Sequence, residues 1–172
     1  MQVNPDHWQR NFSIAAAVAL SCFLSAKLAE SVLNFGIHAS PVWFPAGVAL
    51  AAVWLFGRWA AVGVFTGMAA FALSMGASPL LAIVAAAGNT AGALAGKLLL
   101  RRIQFRPFFD NLQDVLGFLA LGVILSPVVN ATISSFNAPA TEVNSWETFV
   151  IHWGIIWLGD SIGILVVTPL LL

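Results

Sequence analysis

The sequence predicts an all-α membrane protein, a polytopic bundle of about six transmembrane helices with the N- and C-termini cytoplasmic. Three observations predict it. Of 172 residues, 60% are hydrophobic and 8% are charged, whereas a soluble domain carries about 25% charged residues. Too few polar side chains remain to cover a surface in water. The apolar residues run on without alternation, and residues 59–96 hold no charge at all, which argues for helices over strands. The basic residues recur at alternate connections, which gives the bundle a sidedness.

A crossing helix needs about 20 apolar residues. The first is expected over about residues 11–34, behind Arg10. It holds Lys27 and Glu30 near its far end, which suits an uncleaved helix better than a removable signal peptide. The second is expected over about 40–57 and the third over about 59–76, with Arg58 between them. Gly76-Ala-Ser-Pro79 breaks the uncharged run, since glycine and proline punctuate helices. The fourth then covers about 79–100. Arg101, Arg102 and Arg106 separate it from a fifth over about 113–136, and a sixth covers about 147–172. The connections on the other side carry no Lys or Arg, so the positive-inside rule places the arginines and both termini in the cytoplasm. Trp8, Trp54 and Trp59 are expected near the inner interface, and Trp43 and Trp146 near the outer one. Short connections leave one integral membrane domain, residues 1–172, with the lipid bilayer as its solvent.

Seven basic residues balance seven acidic ones. No basic stripe exists, and so no nucleic-acid partner is expected. Cys22 is alone and inside a span, so it forms no internal disulfide. Three scattered histidines offer no metal-ligand spacing; no metal and no cofactor is expected. Nothing assembles a nucleophile, a base and an oxyanion donor, so the chain is not expected to be an enzyme.

Helices in lipid associate through close backbone approach. Gly88, Gly92 and Gly96 form a small-residue stripe on the fourth span, Gly63 and Gly67 on the third, and Gly159 and Gly163 on the sixth. These read as helix contacts, and they also fit a homodimer. Gly122, Ser126, Asn130 and Ser134 recur every four residues on the fifth span and form one polar stripe. Pro127 frees a carbonyl beside it. The stripe reads either as interhelical hydrogen bonding or as the wall of a polar cavity.

The strongest candidate residue is Asp160, central in an apolar run from Phe149 to Leu172. A carboxylate there costs roughly 2.5–3.5 kcal/mol by insertion scales unless it finds a partner. It either holds helices together or serves ligand binding, proton sensing or switching. Lys27 and Glu30 are three residues apart and can pair with each other, or Lys27 can turn inward to Asp160. Lys97 can snorkel to headgroups, or face a cavity with Asn89, eight residues earlier on the same face. His152 lies eight residues before Asp160, about 12 Å along the helix. Direct contact is out of reach, and a structural His competes with a proton relay.

Three motifs occur in order. Ser40-Pro-Val-Trp-Phe-Pro-Ala-Gly47 leads into an apolar span. Gly88-Asn-Thr-Ala-Gly92 is followed by Leu99-Leu-Arg-Arg102. Trp157-Leu-Gly-Asp160-Ser-Ile-Gly163 is followed by Val166-Val-Thr-Pro169-Leu. Together they resemble the first type of bacterial membrane-associated sensor domain (the MASE family) over about residues 38–172. The resemblance implies a non-catalytic input domain in the bacterial inner (plasma) membrane. It would pass a signal to a cytoplasmic output domain or partner protein of histidine kinase, diguanylate cyclase or phosphodiesterase type, in two-component or cyclic di-GMP signalling. It carries over Pro41, Trp43, Pro45, Gly47, Asn89, Gly159, Asp160 and Pro169 as family-like positions, and Trp157, in the same motif as Asp160, joins the ligand-binding or switch candidates. Such domains usually continue with further spans, so on this resemblance the chain reads as a truncated or short stand-alone member without an output domain. Two other readings stay open. One is a small-molecule-binding membrane subunit of a transporter, its pocket lined by Ser126, Asn130, Asn89 and Asp160. The other is an assembly subunit whose buried polar groups only satisfy one another.

Overall fold

The computed structural model describes residues 5–33, 42–136 and 145–172. Pro41 lies outside the described residues. All regular structure among the described residues is helical: α1 (Pro5–Leu33), α2 (Phe44–Phe56), α3 (Arg58–Ser74), α4 (Pro79–Arg102), α5 (Leu112–Gly117), α6 (Ser126–Phe136) and α7 (Trp146–Leu171). A π-helical stretch, Phe118–Leu125, joins α5 to α6, so Leu112–Phe136 runs as one rod.

Four helices are long and apolar enough to cross a membrane: Trp8–Ser31, Pro79–Arg102, Leu112–Phe136 and Trp146–Leu171. α2 has 13 residues and α3 has 17. At 1.5 Å per residue they are about 20 and 26 Å long, short of the roughly 30 Å hydrocarbon core. α2 is the central element and packs against α1, α3, α4 and α7. Pro45 in its first turn presets the helical φ without wasting a donor. Gly57, at φ +72°, turns the chain from α2 straight into α3, a left-handed conformation that glycine adopts without steric cost.

One expectation about depth is corrected here. The Trp43 N–H donates to Gly159 O at 2.9 Å, and its indole Nε1 to Asn89 Oδ1 at 3.4 Å. Gly159 and Asn89 are near the middles of α7 and α4. α2 therefore begins level with mid-bundle, and Trp43 does not sit at the end where an outer aromatic belt would place it.

The glycine stripes lie at helix–helix contacts. A Cβ added at Gly63 would come within 2.8 Å of Val18 Cβ, and one at Gly67 within 2.9 Å of Ala19 Cα, so α3 lies directly on α1. Gly88, Gly92 and Gly96 of α4 face Asn130 and Ser126 of the fifth rod. Gly47 and Gly163 bring the backbones of α2 and α7 together. These faces are used within one chain.

Trp8 meets Trp59 edge-on at 5.8 Å and Trp54 meets Phe105 at 5.4 Å. The N-terminal ends of α1 and α3 and the C-terminal ends of α2 and α4 thus gather at one end of the bundle. Arg10, Arg58, Arg101 and Arg102 share that end.

Candidate functional site

The π-helical stretch exists where the sequence removes a backbone donor. Pro127 has no N–H, and its ring opposes the carbonyl four residues earlier. The wider π turn just before it accommodates the ring, and such insertions cluster at functional sites. Side chains take up nearby carbonyls. Ser126 Oγ donates to Gly122 O at 2.7 Å, and Trp157 Nε1 to Ile124 O at 2.8 Å. Trp157 thus ties α7 to the irregular stretch, a role its motif gave no hint of.

One turn further on, Asn130 points at α7. Its Nδ2 donates to Asp160 Oδ2 at 2.7 Å, and its Oδ1 accepts from Ser134 Oγ at 3.0 Å. Asp160 is 3% exposed and Asn130 4%. A buried polar group without a partner costs more than the net worth of the bond it lacks, so this pair clasps α6 to α7. Gly88 of α4 makes room for it: a Cβ there would lie 2.6 Å from Asn130 Oδ1. Asn89, Ser126, Asn130 and Asp160 line a cavity of about 10 Å³ between α2, α4, α6 and α7. That is room for about one water.

Beside the clasp runs a seam where α7 meets α2 almost backbone to backbone. Trp43 N–H bonds Gly159 O, and Thr168 Oγ1 donates to Gly47 O at 3.1 Å. Pro169 follows Thr168 in the last turn of α7. The seam joins the Trp43–Gly47 part of the first motif to the Gly159–Thr168 part of the third, and Gly47 and Gly163 permit the close approach. Thr168 was not singled out from sequence; its place before Pro169 is the one signal that marks it. Ser161, next to Asp160, is 7% exposed, and among the described residues its Oγ is a buried polar atom without a hydrogen-bond partner.

The other candidates fall elsewhere. Lys27 does not meet Asp160 or Glu30. Its Nζ lies 3.3 Å from Met75 Sδ and 5.5 Å from the Phe71 ring centre, so α3 takes up the cation through a soft sulfur and a ring face. Glu30 is half-buried on α1. His152 Nδ1 is 3.3 Å from Ser135 Oγ, and Trp153 Nε1 donates to Thr132 Oγ1 at 3.1 Å. These form a separate α6–α7 contact, apart from Asp160.

Lys97 turns inward instead of snorkelling. Its Nζ donates to Val53 O at 2.6 Å, the carbonyl that also accepts from Gly57 N. A cation at the last carbonyls of a helix offsets the negative end of its dipole. Lys97→Met is expected to lower stability in detergent by about 1 kcal/mol through loss of this cap. Thermal unfolding of the purified protein checks it, and an unchanged midpoint would count against the capping role.

Among the described residues no group of three or more His, Cys, Asp or Glu side chains could hold a metal ion. The MASE1 family model matches residues 9–172. No curated protein and no solved structure matches.

Proposed function

The chain belongs to the MASE1 family of membrane-associated sensor domains, and on that premise we propose that it is the input domain of a bacterial signalling protein. It crosses the inner membrane six times, with both termini in the cytoplasm. It passes its state to a cytoplasmic histidine kinase, diguanylate cyclase or phosphodiesterase. The gathering of Arg10, Arg58, Arg101 and Arg102 at one end of the bundle supports this orientation.

The observation that carries the reading is the Asn130–Asp160 bond, 2.7 Å long and buried mid-helix. Intramembrane ionisable residues face the bundle interior and mark working sites. Here one such residue sets how α7 sits on α6 and α2, and α7 leads toward the output side. The signal acts by favouring the clasped or the released arrangement. A ligand, proton or partner can shift that balance only if it interacts differently with the two. The transporter reading gains nothing from the site: a bound vitamin-sized molecule needs several hundred Å³, and the cavity at Asp160 is about 10 Å³.

Crosslinking in native membranes, followed by capture and mass spectrometry, tests the wiring. A kinase, cyclase or phosphodiesterase is expected, either as a separate protein or as an extension of the same polypeptide. An ATPase pair with a coupling subunit would overturn the reading. In the same cells Asp160→Asn is expected to lock the output in one state at normal membrane levels. An unaltered dose response would remove Asp160 from the switch.

A further inference from the structure

A second recess lies on the outside of the bundle, away from Asp160. Trp8 and Phe12 of α1 and Trp59, Val62 and Thr66 of α3 line a groove of about 310 Å³. It runs from the Trp8–Trp59 pair at the basic end up to Thr66. Seven residues of α3 separate Trp59 from Thr66, or about 10 Å of depth. Both helices begin at the same end.

The walls ask for an apolar occupant. Trp8 is 59% exposed, Phe12 74% and Val62 46%. The one hydroxyl, Thr66 Oγ1, already donates to Val62 O and Gly63 O at 3.0 and 3.2 Å. Nothing in the groove is left to hold a polar molecule. The mouth is different. The Arg58 guanidinium lies 5.9 Å from the Trp59 ring centre and is exposed. Among the residues whose side chains are described, no carboxylate lies within ion-pair distance of it. The indole N–H groups of Trp8 and Trp59 also have no acceptor among the described residues. A cation and two amphipathic rings stand over an apolar slot, and tryptophans of this kind sit at the headgroup level of a bilayer.

We propose that this groove binds one anionic phospholipid, its acyl chain between α1 and α3 and its phosphate on Arg58. The charge at the mouth matches the headgroup and the apolar walls match the tail. The α1–α3 pair, locked by Gly63 and Gly67, gives the site a rigid back.

Native mass spectrometry of the whole purified protein, delipidated and then titrated with phosphatidylglycerol or phosphatidylcholine of identical chains, tests this. One phosphatidylglycerol is expected to stay bound where phosphatidylcholine is lost. Arg58→Gln is expected to weaken phosphatidylglycerol about fivefold, the worth of one basic residue at a charged membrane surface, and phosphatidylcholine less, because the choline cation already offsets its phosphate. Val62→Trp, which fills the slot, is expected to abolish the bound lipid, with circular dichroism confirming an intact helical fold. Equal retention of the two lipids by the wild type, or undiminished phosphatidylglycerol in Val62→Trp, overturns the proposal. A dimer that Val62→Trp dissolves also overturns it, since a second copy would then occupy the groove.

Discussion

Asn130→Leu is expected to destabilise the protein by about 2–5 kcal/mol. Two effects add. The lost interhelical bond is worth about 1–2 kcal/mol at the upper end of what such bonds contribute in membranes. The second is the orphaned carboxyl of Asp160. Asp160 is 3% exposed, so water cannot replace the amide, and an unsatisfied buried group costs about 1–3 kcal/mol. Asp160→Leu should cost less than Asn130→Leu. It orphans an amide, and one amide oxygen bond, from Ser134, survives.

The double variant, with leucine at both positions, separates assembly from signalling. Replacing both members of a buried polar pair with apolar side chains is often neutral or stabilising. Stability within about 1 kcal/mol of the wild type is therefore expected, with a coupling energy well above the roughly 0.5 kcal/mol scatter of independent sites. Denaturation in mixed micelles gives the cycle, and strictly additive losses would show that the bond does not clasp the helices. The same variant has a signalling readout. If the pair is a switch, the protein assembles and no longer responds. If the pair only satisfies itself, response survives with stability, and the pair is removed from the switch.

Much of this arrangement was legible in the sequence, because periodicity and punctuation are local. The Gly76–Pro79 break falls where α3 ends and α4 begins, with Ser78 Oγ accepting from Leu81 N at 3.4 Å. The four-residue stripe from Gly122 to Ser134 does face other helices, and its members bond one another: Ser126 to Gly122, Ser134 to Asn130. Depth was not legible. Counting residues outward from Arg58 gives a span that starts near residue 40. Where α2 begins in the bundle depends on a carbonyl of α7, Gly159 O, which no local pattern reveals. Lys97 misleads for the same reason. Four residues before Arg101 it looks like a headgroup anchor, yet the carbonyl that holds it belongs to Val53 on another helix. Asp160 could be matched with Lys27 by depth alone, but depth says nothing of which helices touch. α1 packs on α2 and α3, while α7 packs on α2 and α6.

Gly163→Val is expected to be more disruptive than any change at the clasp. A Cβ at Gly163 would overlap the Trp43 carbonyl, coming within 2.6 Å of its carbon. Overpacking usually costs about 1–3 kcal/mol because side chains can turn aside. Here the obstacle is backbone, so α2 and α7 must separate. Separation breaks the Trp43 N–H to Gly159 O bond and the Thr168 to Gly47 bond. It also leaves an N–H of the α2 start with no acceptor in an apolar setting, a further cost of about 1–3 kcal/mol. The sum exceeds about 3 kcal/mol and approaches the total stability of a small domain. Loss of the folded protein from membranes is therefore expected. Gly154→Ala, on the same helix with nothing within 4 Å of its added Cβ, should accumulate normally and serves as the control. If Gly163→Val accumulates like that control, the seam can open by a helix-wall's width without unfolding. α7 would then be free to move against α2, and the clasp at Asp160 would stand alone in setting its position.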